Sequence, residues 1–215
     1  MTRTAQAESS TPKTVRTTYR GVARRAQILA TASHLFLEHG YAGVSVDAVV
    51  NNVGGSKTNV YSQFGNKEGL FAAVVTDLCE RFQHDLLELN LDGLSVYNGL
   101  KLIGRTLLRI LLQEEHIAFQ RLITAESGRY PALAHAWWQA GPQRSRDFIA
   151  AFLEKKKASE ECKLQDTAKC ADLFHSMLVF DPVQLGMIAQ RPNVQAVDKH
   201  VDQCVEILVG KESRA

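Results

Sequence analysis

The stretch that follows Gly54-Gly55 is dense in side chains that donate and accept hydrogen bonds: Ser56, Lys57, Thr58, Asn59, Tyr61 and Gln63. Val60 and Phe64, four residues apart, turn inward if this stretch is a helix. That leaves Lys57, Thr58 and Asn59 on an exposed first turn. A core has no use for three polar residues there, whereas base edges in a DNA major groove do. Tyr61 can rest its ring on a core and send its hydroxyl to a phosphate, and Gln63 can reach phosphate or base. Lys67, in the first turn of the next helix, is badly placed for the helix dipole but well placed for a backbone phosphate. Ser45 and Ser56 bring hydroxyls and free N–H groups to helix starts, where phosphate oxygens are accepted. The same two serines are also ordinary N-caps, and both roles stay open. Without DNA, Lys57, Thr58 and Asn59 would be a solvated face and Tyr61 a core aromatic.

The placement of charge agrees. The chain has 215 residues and a formal charge of only +2, yet its first 30 residues hold six basic side chains, Arg3, Lys13, Arg16, Arg20, Arg24 and Arg25, against one acid, Glu8. Lys and Arg gain affinity by displacing counterions from phosphates, so a basic end on a near-neutral chain suggests a local polyanion contact. Arg24 and Arg25, at the opening of the first helix, are candidates for it.

Chemistry of other kinds has little to stand on. The sequence holds no nucleophile–base pair, phosphate-cradling loop or HExxH-type motif, and His116, His135 and His175 are too scattered to argue for a metal. Cys79, Cys162, Cys170 and Cys204 lie far apart with no CxxC, and read as small buried hydrophobes in a reducing compartment. No enzyme, metal or cofactor is expected. No apolar run approaches the roughly 20 residues that span a bilayer, and the polar N-terminus lacks the apolar core of a secretory signal. A cytoplasmic protein without a membrane partner is expected. A hydrophobic content of 45% with 22% charged residues is globular.

Helices must position these groups. Ile28, Leu29, Ala32, Leu35 and Phe36 form one apolar stripe that Gly40 ends. Ser45 opens a short helix with Val46, Val49, Val50 and Val53 on one face. The valines favour a strand, but Asp47, Asn51 and Asn52 interrupt any alternation and no partner strand presents itself. Ser56 opens a third helix, and Asn66 a long fourth with Leu70, Phe71, Val74, Val75 and Leu78. Further helices are predicted at about 95–113, 115–127, 131–157 with a kink at Gly141-Pro142, 167–180 extending towards 190, and 194–209. The fold class is all-α: a three-helix helix-turn-helix head followed by a larger helical domain.

The segment FLEHGYAGVSVDAVVNNVGGSKTNVYSQFGNKEGLF, from Phe36, closely resembles the DNA-binding domain of the TetR family. The pattern is carried by Phe36, Gly40-Tyr41, Ser45, Gly54-Gly55-Ser56, Tyr61, Phe64 and Lys67-Glu68-Gly69-Leu70. It departs from the family at Gly55, where an apolar residue is usual. Residues 119–153 resemble the C-terminal domain of the AefR-like branch. The resemblance implies a flexible basic arm over 1–19, a DNA-binding head over 20–65, and a ligand-binding and dimerisation domain over 66–215. It implies an effector cavity among helices 4 to 7, for which Phe82, Ile103, Leu107 and His116 are candidates. Phe119, Trp137, Trp138, Phe148 and Met177 complete the set, although each could be ordinary core. It also implies a homodimer through the last two helices, with Phe174, Leu178, Val197, Val201, Val205 and Leu208 in the seam. The expected function is a ligand-responsive regulator, most simply a repressor that binds palindromic double-stranded operator DNA as a dimer and dissociates when a small effector binds. A TetR-like activator, or a helical interaction protein without a DNA role, are the other readings.

Overall fold

The computed structural model describes residues 19–210. The basic arm, with Arg3, Lys13 and Arg16, lies outside the described residues apart from Tyr19, which opens the first helix. Among the described residues there are helices and no strand. The chain runs through α1 (Tyr19–Gly43), α2 (Val46–Val53), α3 (Lys57–Phe64), α4 (Lys67–Leu87), α5 (Val96–Leu111), α6 (Glu114–Glu126) and α7 (Pro131–Trp138). A π-helical turn (Gln139–Gln143) then leads to α8 (Arg144–Ala158), α9 (Thr167–Met187) and α10 (Val194–Val209). No described helix is long and apolar enough to cross a membrane.

The head is held by tertiary burial. α2 and α3 have eight residues each, below the roughly 12–15 at which an isolated helix becomes even marginal. Val46 and Val49 of α2 and Val60 and Phe64 of α3 are buried with Ile28, Leu29, Ala32 and Phe36 of α1 and Leu70 and Phe71 of α4. Each such side chain contributes about 1.5–3 kcal/mol, far more than helix propensity supplies. Gly40, at φ 71°, takes the left-handed conformation that breaks the helical run of α1. Tyr41 then turns back onto Phe36 and Phe71, with ring centroids 5.9 and 4.9 Å away.

α4 is the spine. Its 21 residues bury Leu70, Phe71, Val74 and Val75 under the head and Cys79, Phe82, Gln83 and Leu86 in the larger domain. A second aromatic contact ties the two parts, since Tyr41 meets Tyr130, just before α7, at 4.7 Å. The kink expected near Gly141-Pro142 is the π-helical turn; proline has no N–H to give the ladder, and a wider turn absorbs the loss.

The terminal helices correct one expectation. Phe174, Leu178, Val201 and Val205 are fully buried within their own protomer and do not form an outward seam. The cause is Gly104 of α5: a Cβ there would stand 3.0 Å from Val201 Cγ1 and 3.4 Å from Leu178 Cδ1, so its absence lets α9 and α10 close on α5. Val197 and Leu208 are half-buried against the same core. The outward apolar residues lie on the opposite faces, with Leu173 50%, Phe180 65% and Ile207 71% exposed. A period of 3.6 places two stripes on one helix, and sequence spacing alone does not say which faces inward.

Val201→Glu therefore puts an unpaired charge into the protomer's core. We expect it to lower unfolding free energy by about 4 kcal/mol or more, read by urea denaturation. Ile207→Glu should keep the helical circular-dichroism spectrum of the parent. A Val201→Glu protein as stable as Ile207→Glu would contradict this packing.

Candidate functional site

The exposed face of α3 is built by its caps. Ser56 accepts from Asn59 N at 3.3 Å and Ser45 from Ala48 N at 3.0 Å, so both hydroxyls serve as N-caps of the helices they open. Asn66 caps α4 through Gly69 N at 2.7 Å. Capping holds α2 and α3 against their turn and leaves Lys57, Thr58 and Asn59 exposed, side by side. Tyr61 is 40% exposed beside them.

These side chains are organised. Lys57 Nζ lies 2.9 Å from Asp47 and 5.8 Å from the Tyr61 ring centroid. Its hydrogen bond to Asp47 raises its pKa, so it is a firm cation. Gln63 is half-buried and donates to Asn59 Oδ1 at 2.8 Å, which orients the Asn59 amide. Lys67 is half-buried with its ammonium 4.3 Å from the Tyr41 ring centroid; burial lowers its pKa and Glu126 opposes that shift.

Of the arginines of α1, Arg24 turns inward. Arg24 donates to Val53 O at 3.1 Å, to Gln27 at 3.0 Å and, very closely, to Gly54 O. Its guanidinium thereby takes up the orphan carbonyls at the end of α2, a role the sequence did not suggest. Gly55 is what admits it. That residue sits at φ 95°, and a Cβ there would stand 2.5 Å from Arg24 Nη2. The departure from the apolar residue usual at this position and the inward Arg24 are one feature: the turn between α2 and α3 is locked by a guanidinium. Arg25 stays exposed and lies over the Phe64 ring at 4.5 Å.

A cavity of about 260 Å³ opens in the larger domain. Of the predicted lining, Phe82, Leu107, His116, Phe119, Trp137 and Trp138 are brought together there. Three expected residues are elsewhere. Ile103 is fully buried core, Phe148 packs half-buried against that core, and Met177 lies in an outer groove with His200 and Ile207. One helical turn decides each case, because neighbours on one helix point to different sides. The polar lining escaped sequence reading: Gln83 of α4, Ser145 and Arg146 of α8, and His175 of α9. A glutamine inside the apolar stripe of α4 was the available signal.

The cavity wall is electrostatically unusual. Gln83 Nε2 donates to Gly141 O, the carbonyl of the π-helical turn, and to Ser145 Oγ at 3.3 Å. Gln83 Oε1, Arg146 Nη1 and His175 Nδ1 are buried without a protein partner. A buried polar atom left so costs about 1–3 kcal/mol, and three on one wall are seldom kept without use. Arg146 Nε pairs with Asp172 at 3.6 Å and its guanidinium lies 4.6 Å from the Trp138 ring. Burial depresses His116 to about 4; burial and then Arg146 depress His175 to about 3. Both rings are neutral at pH 7, and His116 Nδ1, 3.1 Å from Leu111 O, is placed to donate to it. Burial pushes the Cys79 thiol up to about 12, so it is no nucleophile. No group of His, Cys, Asp and Glu among the described residues could hold a metal.

Comparison with known proteins matches both parts of the chain. Residues 28–74 match the model of bacterial regulatory proteins of the tetR family, and residues 98–210 that of the AefR-like transcriptional repressor C-terminal domain. The HTH-type transcriptional repressor AcnR of Corynebacterium diphtheriae is 29% identical over 114 residues, 53% of this chain and 55% of the repressor. The aligned chain thus spans about half the length of that relative. Among solved structures, a TetR-family transcriptional regulator from Mesorhizobium loti superposes with a TM-score of 0.74 at 28% identity, covering 89% of this chain and 97% of the other. The flavonoid-responsive regulator FrrA does so with a TM-score of 0.76 at 28% identity, covering 87% and 95%.

Two outcomes follow from this geometry. Arg24→Ala should destabilise the head by about 1–2 kcal/mol, and Gly55→Ala by about 1–2 kcal/mol, both seen in thermal unfolding; unchanged stability in both would remove the guanidinium lock. The buried histidines must gain a proton on acid unfolding. Their folded pKa values lie below the unfolded 6.5, so the unfolded chain binds more protons between roughly pH 4 and 6.5, and stability falls as pH drops through that window. From pH 7 to 5 the loss should be about 2 kcal/mol per histidine. Urea titrations should show His116→Gln flattening that fall.

Proposed function

Because the chain belongs to the TetR family of bacterial regulatory proteins, with an AefR-like C-terminal domain, and is a transcriptional regulator, we propose that it is a repressor that binds palindromic operator DNA as a dimer and lets go when a small effector enters the cavity. One observation carries this reading: a single unbroken α4 supports the head at its first turns and lines the cavity at its last. Anything that displaces Phe82 or Gln83 tilts the base on which α3 rests. Two heads must meet successive major grooves roughly 34–36 Å apart, so a small tilt breaks the match. Ligand and DNA then favour different conformations, and each weakens the other.

In this reading Lys57, Thr58 and Asn59 face base edges, and Tyr61, Gln63 and Lys67 face phosphate. Lys57 must leave Asp47 to do so, which adds a competition between the carboxylate and DNA. Ser45 and Ser56 present helix N-termini to phosphate while their hydroxyls cap. Arg25, exposed on α1, is a further phosphate contact, whereas Arg24 acts by holding the turn. The second copy docks on the outer faces of α9 and α10, where Leu173, Phe180 and Ile207 are exposed. Covering several such side chains on both partners favours association over its entropy cost. The named response of the structural neighbour FrrA to flavonoids supports a cavity for small aromatic molecules.

The test is operator binding to fragments from the region upstream of the protein's own gene. Lys57→Ala, Thr58→Ala and Asn59→Ala should each weaken binding tenfold or more while thermal stability stays within about 0.5 kcal/mol. Affinity should fall steeply with added salt. A chain with no salt-sensitive binding to any such fragment ends the DNA reading. The double change Leu173→Glu with Ile207→Glu should yield a folded monomer by light scattering with operator affinity largely lost. A variant that remains dimeric places the interface elsewhere.

A further inference from the structure

The cavity carries a charge pattern of its own. Among the described residues, Arg146 is the only Lys or Arg that lines it, and no Asp or Glu does so. Asp172 meets the guanidinium only at Nε, 3.6 Å away, which leaves Nη1 buried without a partner. The guanidinium plane is set by Trp138, 4.6 Å from its ring centroid. Next to it in the same wall stand Gln83 and His175, each more than nine-tenths buried and each with an unpartnered polar atom. Phe82, Phe119, Trp137 and Trp138 make much of the rest of the lining aromatic, with His116, Gln120, Ser145 and Gln184 as further polar groups.

Chemistry narrows what could complete this wall. A cationic ligand meets Arg146 with no acid to offset it. A purely aliphatic ligand leaves three buried polar atoms as they are. An anionic oxygen accepts from Arg146 Nη1, and from His175 Nδ1 in the tautomer that carries the proton there. Gln83 Oε1, whose amide nitrogen is already committed to Gly141 and Ser145, accepts from a ligand hydroxyl. The flat side chains on the opposite walls take rings, and about 260 Å³ suits one or two of them.

We propose that the effector is a small aromatic molecule with a carboxylate and a neighbouring hydroxyl, the carboxylate held by Arg146 and His175 and the hydroxyl by Gln83. This rests on the ligand-responsive reading above and deepens it. Arg146 selects for the charge, His175 Nδ1 donates to the same carboxylate, and Gln83 Oε1 accepts from the hydroxyl beside it. The aromatic side chains of the lining pack on the ring, and Trp138 holds the guanidinium that lies over it.

The chain has two tryptophans and both line the cavity, so intrinsic fluorescence reports its occupancy. The probes are 3-hydroxy-2-naphthoate, its methyl ester and 2-naphthoate, titrated by tryptophan quenching and by calorimetry, with operator binding followed in parallel by anisotropy of labelled DNA. The parent protein should bind the naphthoate at least tenfold more tightly than the ester. Arg146→Leu should lose at least tenfold for the naphthoate and less than twofold for the ester, and Arg146→Lys should recover part of that loss. Gln83→Leu should weaken the hydroxylated acid more than 2-naphthoate itself. Equal binding of acid and ester, equal loss of both in Arg146→Leu, or no binding of the acid overturns the proposal. Ester and acid releasing operator alike would overturn it while keeping the ligand-responsive reading. Acid bound through Arg146 without operator release would keep the head-group site and end the ligand-responsive reading.

Discussion

The continuity of α4 is the constraint on which the rest of the molecule depends. Over 21 residues it has no glycine beyond Gly69 in its first turn, no proline and no break. Leu70, Phe71 and Val74 are the floor of the head, and Cys79, Phe82, Gln83 and Leu86 are a wall of the cavity. A helix hydrogen-bonded throughout moves as a body, because bending it costs ladder bonds that nothing else replaces. Head and cavity therefore cannot change independently. The aromatic contact of Tyr41 with Tyr130, and Lys67 lying over Tyr41, give the head a second attachment to the same domain. The head is thus held to that domain by more than α4 alone, since α1 also packs on α6.

Around that spine the structure spends polar groups where an ordinary core would not. Pro142 makes a π-helical turn, the turn presents Gly141 O, and Gln83 reaches across from α4 to take it. The kink therefore positions a polar wall as well as joining two helices. The neutrality of His116 and His175 belongs to the same design: low dielectric keeps both rings uncharged, so Arg146 is the one fixed charge that lines the cavity.

The outer face of α3 shows the same economy of exposed and committed groups. Ser45, Ser56 and Asn66 cap three successive helices, and Arg24 closes the turn between the first two. What remains outward on α3 is a short row of side chains, already steered by Asp47, Tyr61 and Gln63. Such a row is preorganised, so less side-chain entropy is lost when a partner is bound. Gly55 shows how one position links levels: its missing side chain makes room for a guanidinium drawn from α1.

Much of this was legible in the residues themselves. Apolar spacing in α1 to α4, the serine and asparagine caps, the glycine breaks and the Gly141-Pro142 kink determined the helices and the head, because these are local effects of periodicity and backbone freedom. The polar run after Gly55 marked the exposed face of α3 for the same reason. Tertiary structure alone decided which stripe of α9 and α10 points inward, and sent Phe174, Leu178, Val201 and Val205 to the core while leaving Leu173, Phe180 and Ile207 outside. It alone drew Gln83, Arg146 and His175 from three distant helices to one cavity, and turned Arg24 onto the α2–α3 turn. Spacing along a chain states which side chains share a face; only the packing of other helices states what that face meets.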